Sequence, residues 1–123
     1  MALFTNLPVY KLGYDLLIEI YKRTKLFSKE YKYTLGEQLK KETLQLLISI
    51  YKANKSKPIE RSNFIESARQ HLEVIRLLLR LSKDLHVLGT KGFVYLNVQA
   101  EQLSIQLVAW QKYAVRASKV NNN

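Results

Sequence analysis

The stretch PIERSNFIESARQHLEVIRLLLRLSKDLHVL, residues 58–88, decides how the chain folds. Phe64, Ala68, Leu72, Ile75 and Leu79 recur at the three-to-four spacing that lines up side chains on one side of an α-helix. Val74, Leu77, Leu78, Leu81 and Leu85 form a second apolar ridge beside the first. Arg69, Arg76, Arg80 and Lys83 share a third, basic face, with Glu73 among them. A surface helix of a monomer needs an apolar arc of roughly 100° or a little more. This one covers about 220° at about 100° per residue. The excess must be buried against something, and the basic face must find something acidic.

Working outward, four Gly and two Pro leave few places for the chain to break. Three breaks divide it into helices expected at about residues 8–27, 34–54, 58–88 and 90–118. Pro8 and Pro58 suit first turns. In the first helix Val9, Leu16, Leu17, Ile20 and Phe27 face the core, with Tyr10, Tyr14 and Tyr21 at the edge of that stripe. Ser28 to Tyr33 is a polar connector. Thr34-Leu35-Gly36-Glu37 has the pattern of a capping box. The second helix puts Leu35, Leu39, Leu46 and Ile50 inward and Leu44, Ile48 and Tyr51 on roughly the opposite side. Gly89 is expected to close the third helix in the left-handed conformation, and Thr90 to cap the fourth. There Phe93, Leu96, Ala100, Leu103, Leu107 and Trp110 form the core stripe, and Val94, Val98, Ile105 and Ala109 a second ridge. Asn121–Asn123 is expected to fray.

Amphipathic helices with short connections imply an all-α fold, an antiparallel up-down-up-down four-helix bundle in a single domain spanning residues 1–123. The extra ridges on three helices imply a homo-oligomer, with Leu44, Ile48, Val74, Leu77, Leu81, Val98 and Ile105 as interface candidates; scattered surface apolars are the plain alternative.

Twenty Lys and Arg oppose ten Asp and Glu, a net charge of +10. That excess favours nucleic acid, an anionic membrane surface or an acidic protein as partner. No apolar run approaches the ~20 residues that span a bilayer, and the first residues lack a signal-peptide pattern. The absence of cysteine excludes disulfides and thiolate metal sites and fits a reducing cytoplasm, the expected localisation. His71 and His86 lie about 22 Å apart along one helix at about 1.5 Å per residue, too far to share a metal. Neither has a Glu three residues before it. There is no phosphate loop, nucleophile elbow or Cys/His couple. No enzyme, no cofactor and no metal are expected.

The basic residues remain. Arg69, Arg76, Arg80 and Lys83 make a row about 21 Å long, the scale on which a helix tracks several phosphates. A second cluster, Lys52, Lys55, Lys57 and Arg61, gathers at the turn between helices two and three. A third, Lys112, Arg116 and Lys119, closes helix four, with Tyr113 placed to stack on a base. The third is expected at the end of the bundle opposite the second. A solvated charged face is the ordinary alternative for each.

At Leu7-Pro8-Val9-Tyr10-Lys11, Tyr21-Lys22-Arg23-Thr24-Lys25-Leu26-Phe27 and Tyr33-Thr34-Leu35-Gly36-Glu37-Gln38-Leu39-Lys40-Lys41 the chain resembles a known superfamily. It looks like the four-helix-bundle group of the ribosomal-RNA intervening-sequence protein and Avd, the accessory variability determinant of diversity-generating retroelements. The likeness covers about residues 7–115. The intervening-sequence branch usually ends its second helix with Asn-Ile-Ala-Glu-Gly. Here Ser49-Ile50-Tyr51-Lys52-Ala53-Asn54 lacks the Glu-Gly, which, with the Arg-rich third helix, favours the Avd-like branch. The resemblance implies a homopentameric barrel, a basic surface for RNA or DNA, and a reverse transcriptase as partner. It aligns no functional residue, so the basic sites rest on helical phase. The alternatives are a protein encoded within a ribosomal RNA insertion and a module docking an acidic partner.

Overall fold

Pro8 and Pro58 each occupy the first turn of a helix, where a missing N–H leaves no bond unmade. The structure, a computed structural model, describes residues 7–121. Its long helices are α1 (Pro8–Thr24), α3 (Leu35–Lys55), α4 (Pro58–Asp84) and α5 (Thr90–Asn121), with one helical turn, α2 (Lys29–Lys32), between the first two. No strand occurs among the described residues. The Asn122–Asn123 part of the expected tail, and the first six residues, lie outside them. α1 packs on α3 and α5, and α4 packs on the same two. That arrangement is an up-down-up-down four-helix bundle.

One buried cluster draws on all four long helices. Leu16 and Ile20 meet Leu39, Leu46 and Ile50, then Leu72, Ile75 and Leu79, then Leu96, Leu103 and Leu107, all essentially inaccessible. Burying a side chain of this size contributes roughly 1.5–3 kcal/mol. Three details differ from the periodicity. Ile65 is fully buried while Phe64 is only half-buried, because the inward row of α4 runs 65, 68, 72, 75, 79. Leu17 is half-buried, and Leu78 turns into the core instead of joining the outer ridge. Hydroxyls also occupy core positions. Thr24, Thr43 and Ser82 each donate to the carbonyl four residues back, at 2.7 Å, so none is buried unsatisfied.

The helix ends depart most from expectation. α1 stops at Thr24, three residues early, and Phe27 is carried into the core by a tight turn. The supposed connector contains the α2 turn. Thr34 is no capping box: its hydroxyl donates backwards to the Glu30 and Tyr31 carbonyls, while Glu37 pairs with Lys40 at 3.0 Å. α2 ends at Lys32, two residues before Thr34, so its unsatisfied carbonyls are the nearer partners. α4 ends at Asp84 rather than Leu88, and no glycine has positive φ among the described residues. The left-handed residue is His86, at φ 61°. The Val87 N–H bonds the Ser82 carbonyl at 2.9 Å and the His86 N–H bonds that of Lys83 at 3.0 Å, the Schellman pairing. Gly89 instead precedes α5, its carbonyl accepting the Phe93 N–H at 2.9 Å, so the cap falls one residue before Thr90.

A left-handed non-glycine residue costs about 1–2 kcal/mol, and the His86 side chain is exposed. His86→Gly is therefore expected to stabilise the fold by about 1 kcal/mol after glycine's added unfolded-state entropy. Urea denaturation should show a higher midpoint at unchanged slope; an unchanged or lower midpoint would contradict the assignment.

Candidate nucleic-acid interface

The basic row of α4 lies along its seam with α5. Arg69 donates to the Gln111 side-chain oxygen and stands 3.6 Å from the Glu66 carboxylate. Arg76 reaches Glu101 of α5 at 2.9 Å. Arg80 pairs with Asp84, one turn on, at 3.3 Å. The Lys83 ammonium sits 5.0 Å from the centre of the Phe93 ring. Each base of the row has an acidic, amide or aromatic partner, and three of the four join α4 to α5. A phosphate approaching the row would compete with carboxylates already in place.

Arg61 has another task. Its Nε donates to the Ala53 carbonyl at 2.9 Å and its Nη2 to the Ser56 carbonyl at 2.8 Å. One guanidinium from the start of α4 thus closes the end of α3, where carbonyls lack helical partners and the helix dipole favours a cation. Removing this half-buried fork by Arg61→Ala is expected to cost about 2 kcal/mol. Arg61→Lys should recover only part, since an ammonium does not reproduce two fixed donors. A loss below a few tenths of a kcal/mol in denaturant titration would contradict the capping role.

Lys52, Lys55 and Lys57 are exposed at the same turn. Lys55 lies 5.9 Å over the Tyr51 ring; Lys52 and Lys57 make no ion pair with another described residue. Lys112 and Arg116 are likewise exposed and without a carboxylate partner among the described residues. The expectation that they sit at the opposite end of the bundle is wrong. Gln111 donates to the Ser62 carbonyl at 3.3 Å and to Glu66 at 2.9 Å, so the last turns of α5 lie beside the first turns of α4. The physical reason is simple parity: α3 runs toward the α3–α4 turn, α4 runs away from it, and α5 returns. Lys52, Lys55, Lys57, Arg61, Lys112, Arg116 and Lys119 therefore share one end, with Tyr113 exposed among them.

The family model described as bAvd-like matches residues 9–114, which is all four long helices apart from their outermost residues. The chain belongs to the bAvd-like family. At the level of that family it is an Avd-like accessory protein, in a family not known for catalysis. No curated protein matches the chain.

The bAvd-like chain leaves apolar ridges exposed. On α4 Val74, Leu77 and Leu81 are exposed, Leu77 by 66%, and so is Leu85 just past its end. On α5 Val94, Val98 and Ile105 are exposed, Ile105 by 60%. Leu44 and Tyr51 of α3 are accessible and Ile48 is half-buried. Every interface candidate thus keeps accessible apolar surface on this bAvd-like chain. No described helix is long and apolar enough to cross a membrane.

Sequence reasoning missed the partner of His71, whose Nδ1 lies 2.7 Å from Glu42 of α3. The two residues are 29 positions apart, and only antiparallel pairing of α3 and α4 brings them together. Among the described residues no group of three or more His, Cys, Asp or Glu is placed to hold a metal ion.

Proposed function

We propose that this bAvd-like protein is a non-enzymatic, oligomeric nucleic-acid-binding accessory factor whose partner is a retroelement reverse transcriptase. The observation that carries the reading is the gathering of unpaired cations at one end of the bundle: Lys52, Lys57, Lys112 and Arg116. They hold no carboxylate among the described residues, so phosphates can engage them without first breaking an internal pair. Such contacts neutralise the backbone of RNA or DNA without reading bases. The α4 row acts chiefly in holding α4 to α5, with Arg80 its most exposed member.

Assembly multiplies the weak end. Uncovered ridges on α4 and α5 differ from each other, and two unlike patches per subunit generate a closed ring when the rotation between subunits permits. A pentameric barrel, implied by the resemblance, would repeat the basic end five times around one axis and raise its effective concentration toward a long polyanion. Reverse-transcriptase partnership is likewise implied by the resemblance alone, and co-purification of the two proteins tests it. The nucleic-acid reading is tested by a mobility shift with RNA and DNA of one length at low salt. Retarded complexes with both are expected; no shift with either would overturn it.

A further inference from the structure

The end of the bundle opposite the α3–α4 turn has a different surface. α1 finishes there and α5 begins there, close enough that a Cβ added to Gly92 would stand 2.8 Å from the Arg23 guanidinium. The turn after α1 is held by hydrogen bonds, the Leu26 N–H to the Arg23 carbonyl at 3.0 Å and the Phe27 N–H to that of Thr24 at 3.1 Å. Phe27 is buried in the core, which anchors the turn and leaves its neighbour outside. Leu26 is 82% exposed, the most accessible large apolar side chain among the described residues. Lys22, Lys25 and Lys29 flank it in the chain, and Lys91 lies at the start of α5. All four lysines are exposed and make no ion pair with another described residue. Arg23 is occupied by Glu19 at 3.3 Å and by the Tyr95 ring at 5.1 Å, and Lys32 lies 5.9 Å over the Tyr33 ring. Glu30 is the single carboxylate between Ile20 and Gly36.

We propose that this tip docks a protein partner whose surface offers an apolar pocket for Leu26 and carboxylates around it. The proposal rests on the reverse-transcriptase partnership above and gives that partner a place, away from the basic end that takes phosphates. An apolar anchor inside a charged rim is the composition of an interface hot spot. Because the buried Phe27 already fixes the turn, little ordering cost opposes docking. Other occupants fit less well. Phosphates would satisfy the lysines and leave the leucine without apolar surface to meet. A membrane needs far more apolar area than one leucine, since even a whole myristoyl chain anchors only marginally. The same end of a second copy would set lysine against lysine.

The test titrates the full chain with nuclease-treated reverse transcriptase at one salt concentration. Wild type, Leu26→Ala and a variant combining Lys22→Glu, Lys25→Glu and Lys29→Glu are compared. Duplex binding, sedimentation and flotation with phosphatidylserine-containing vesicles are measured alongside for wild type and Leu26→Ala. Leu26→Ala should weaken partner binding about tenfold or more, the scale of a buried anchor. The lysine reversal should weaken it as well. Duplex affinity and sedimentation should not change with Leu26→Ala, and no vesicle binding is expected. Partner binding undiminished by either change overturns the docking tip while leaving the partnership standing. So does a loss of duplex affinity, a changed sedimentation coefficient or flotation that depends on Leu26, which would assign the tip to nucleic acid, a second copy or a membrane. Failure of wild type to bind the transcriptase removes the partnership and the tip together.

Discussion

Reversing Lys52, Lys57, Lys112 and Arg116 together to glutamate is expected to lower affinity for RNA or DNA by a hundredfold or more, with helicity retained. Each neutralised phosphate releases about 0.9 of a counterion from duplex DNA. Four such contacts are therefore worth about a hundredfold between 50 and 200 mM salt, and reversal adds repulsion to their loss. The fold should tolerate the change because all four side chains are exposed and make no ion pair with described residues. Surface substitutions of this kind usually alter stability by no more than about 0.5 kcal/mol each. Arg76→Glu gives the contrast. It would set a carboxylate against Glu101, now 2.9 Å from the guanidinium, and weaken the α4–α5 seam. Equal losses of nucleic-acid affinity from Arg76→Glu, without loss of stability, would return the phosphate site to the α4 row.

The second large effect concerns assembly. Leu77→Asp with Ile105→Asp should reduce the sedimenting species to the mass of one chain. Leu77 and Ile105 are 66% and 60% exposed in the protomer, so aspartate there disturbs no core packing. Buried between subunits, an unpaired carboxylate costs about 3–5 kcal/mol. That is a factor of a hundred to a few thousand in an association constant. Denaturant midpoints of the protomer should stay close to the parent's at low protein concentration. If the doubly substituted chain still sediments as a multimer, the ridges on α4 and α5 are not the contacts.

The bundle itself was legible because helical periodicity survives small errors of phase. Exchanging Phe64 for Ile65 in the inward row of α4 changes neither the helix nor its neighbours, since both residues are apolar and adjacent. Ends were less legible. Whether Thr34 caps forward or backward depends on α2, a four-residue helix with no apolar stripe to announce it. The left-handed residue fell on His86 because the Schellman bonds require it there, two positions past Asp84; the nearby glycine misled. The basic row showed the general difficulty most clearly. Spacing places Arg69, Arg76, Arg80 and Lys83 on one face, but only the neighbouring helix shows that Gln111, Glu101 and Phe93 stand opposite three of them. Arg61 is a similar case. Nothing local distinguishes a phosphate ligand from a guanidinium that closes the preceding helix.

The end-to-end placement of the clusters was open to correction from connectivity alone, by counting crossings. Once α5 returns to the α3–α4 turn, two modest clusters become one basic end, and the two central sets of site residues divide by role. Arg69, Arg76 and Arg61 hold helices together; Lys52, Lys57, Lys112 and Arg116 face outward. That division is the central claim, and under the proposed function it would make affinity a matter of phosphate neutralisation.

The most direct measurement is the salt dependence of wild-type binding to two duplexes of unrelated sequence. With four free cations engaged, log affinity against log salt should fall with a slope between about −3 and −4 for each protomer in contact. The two sequences should give the same line. A flat slope, or a strong preference for one sequence with weak salt dependence, would contradict the account.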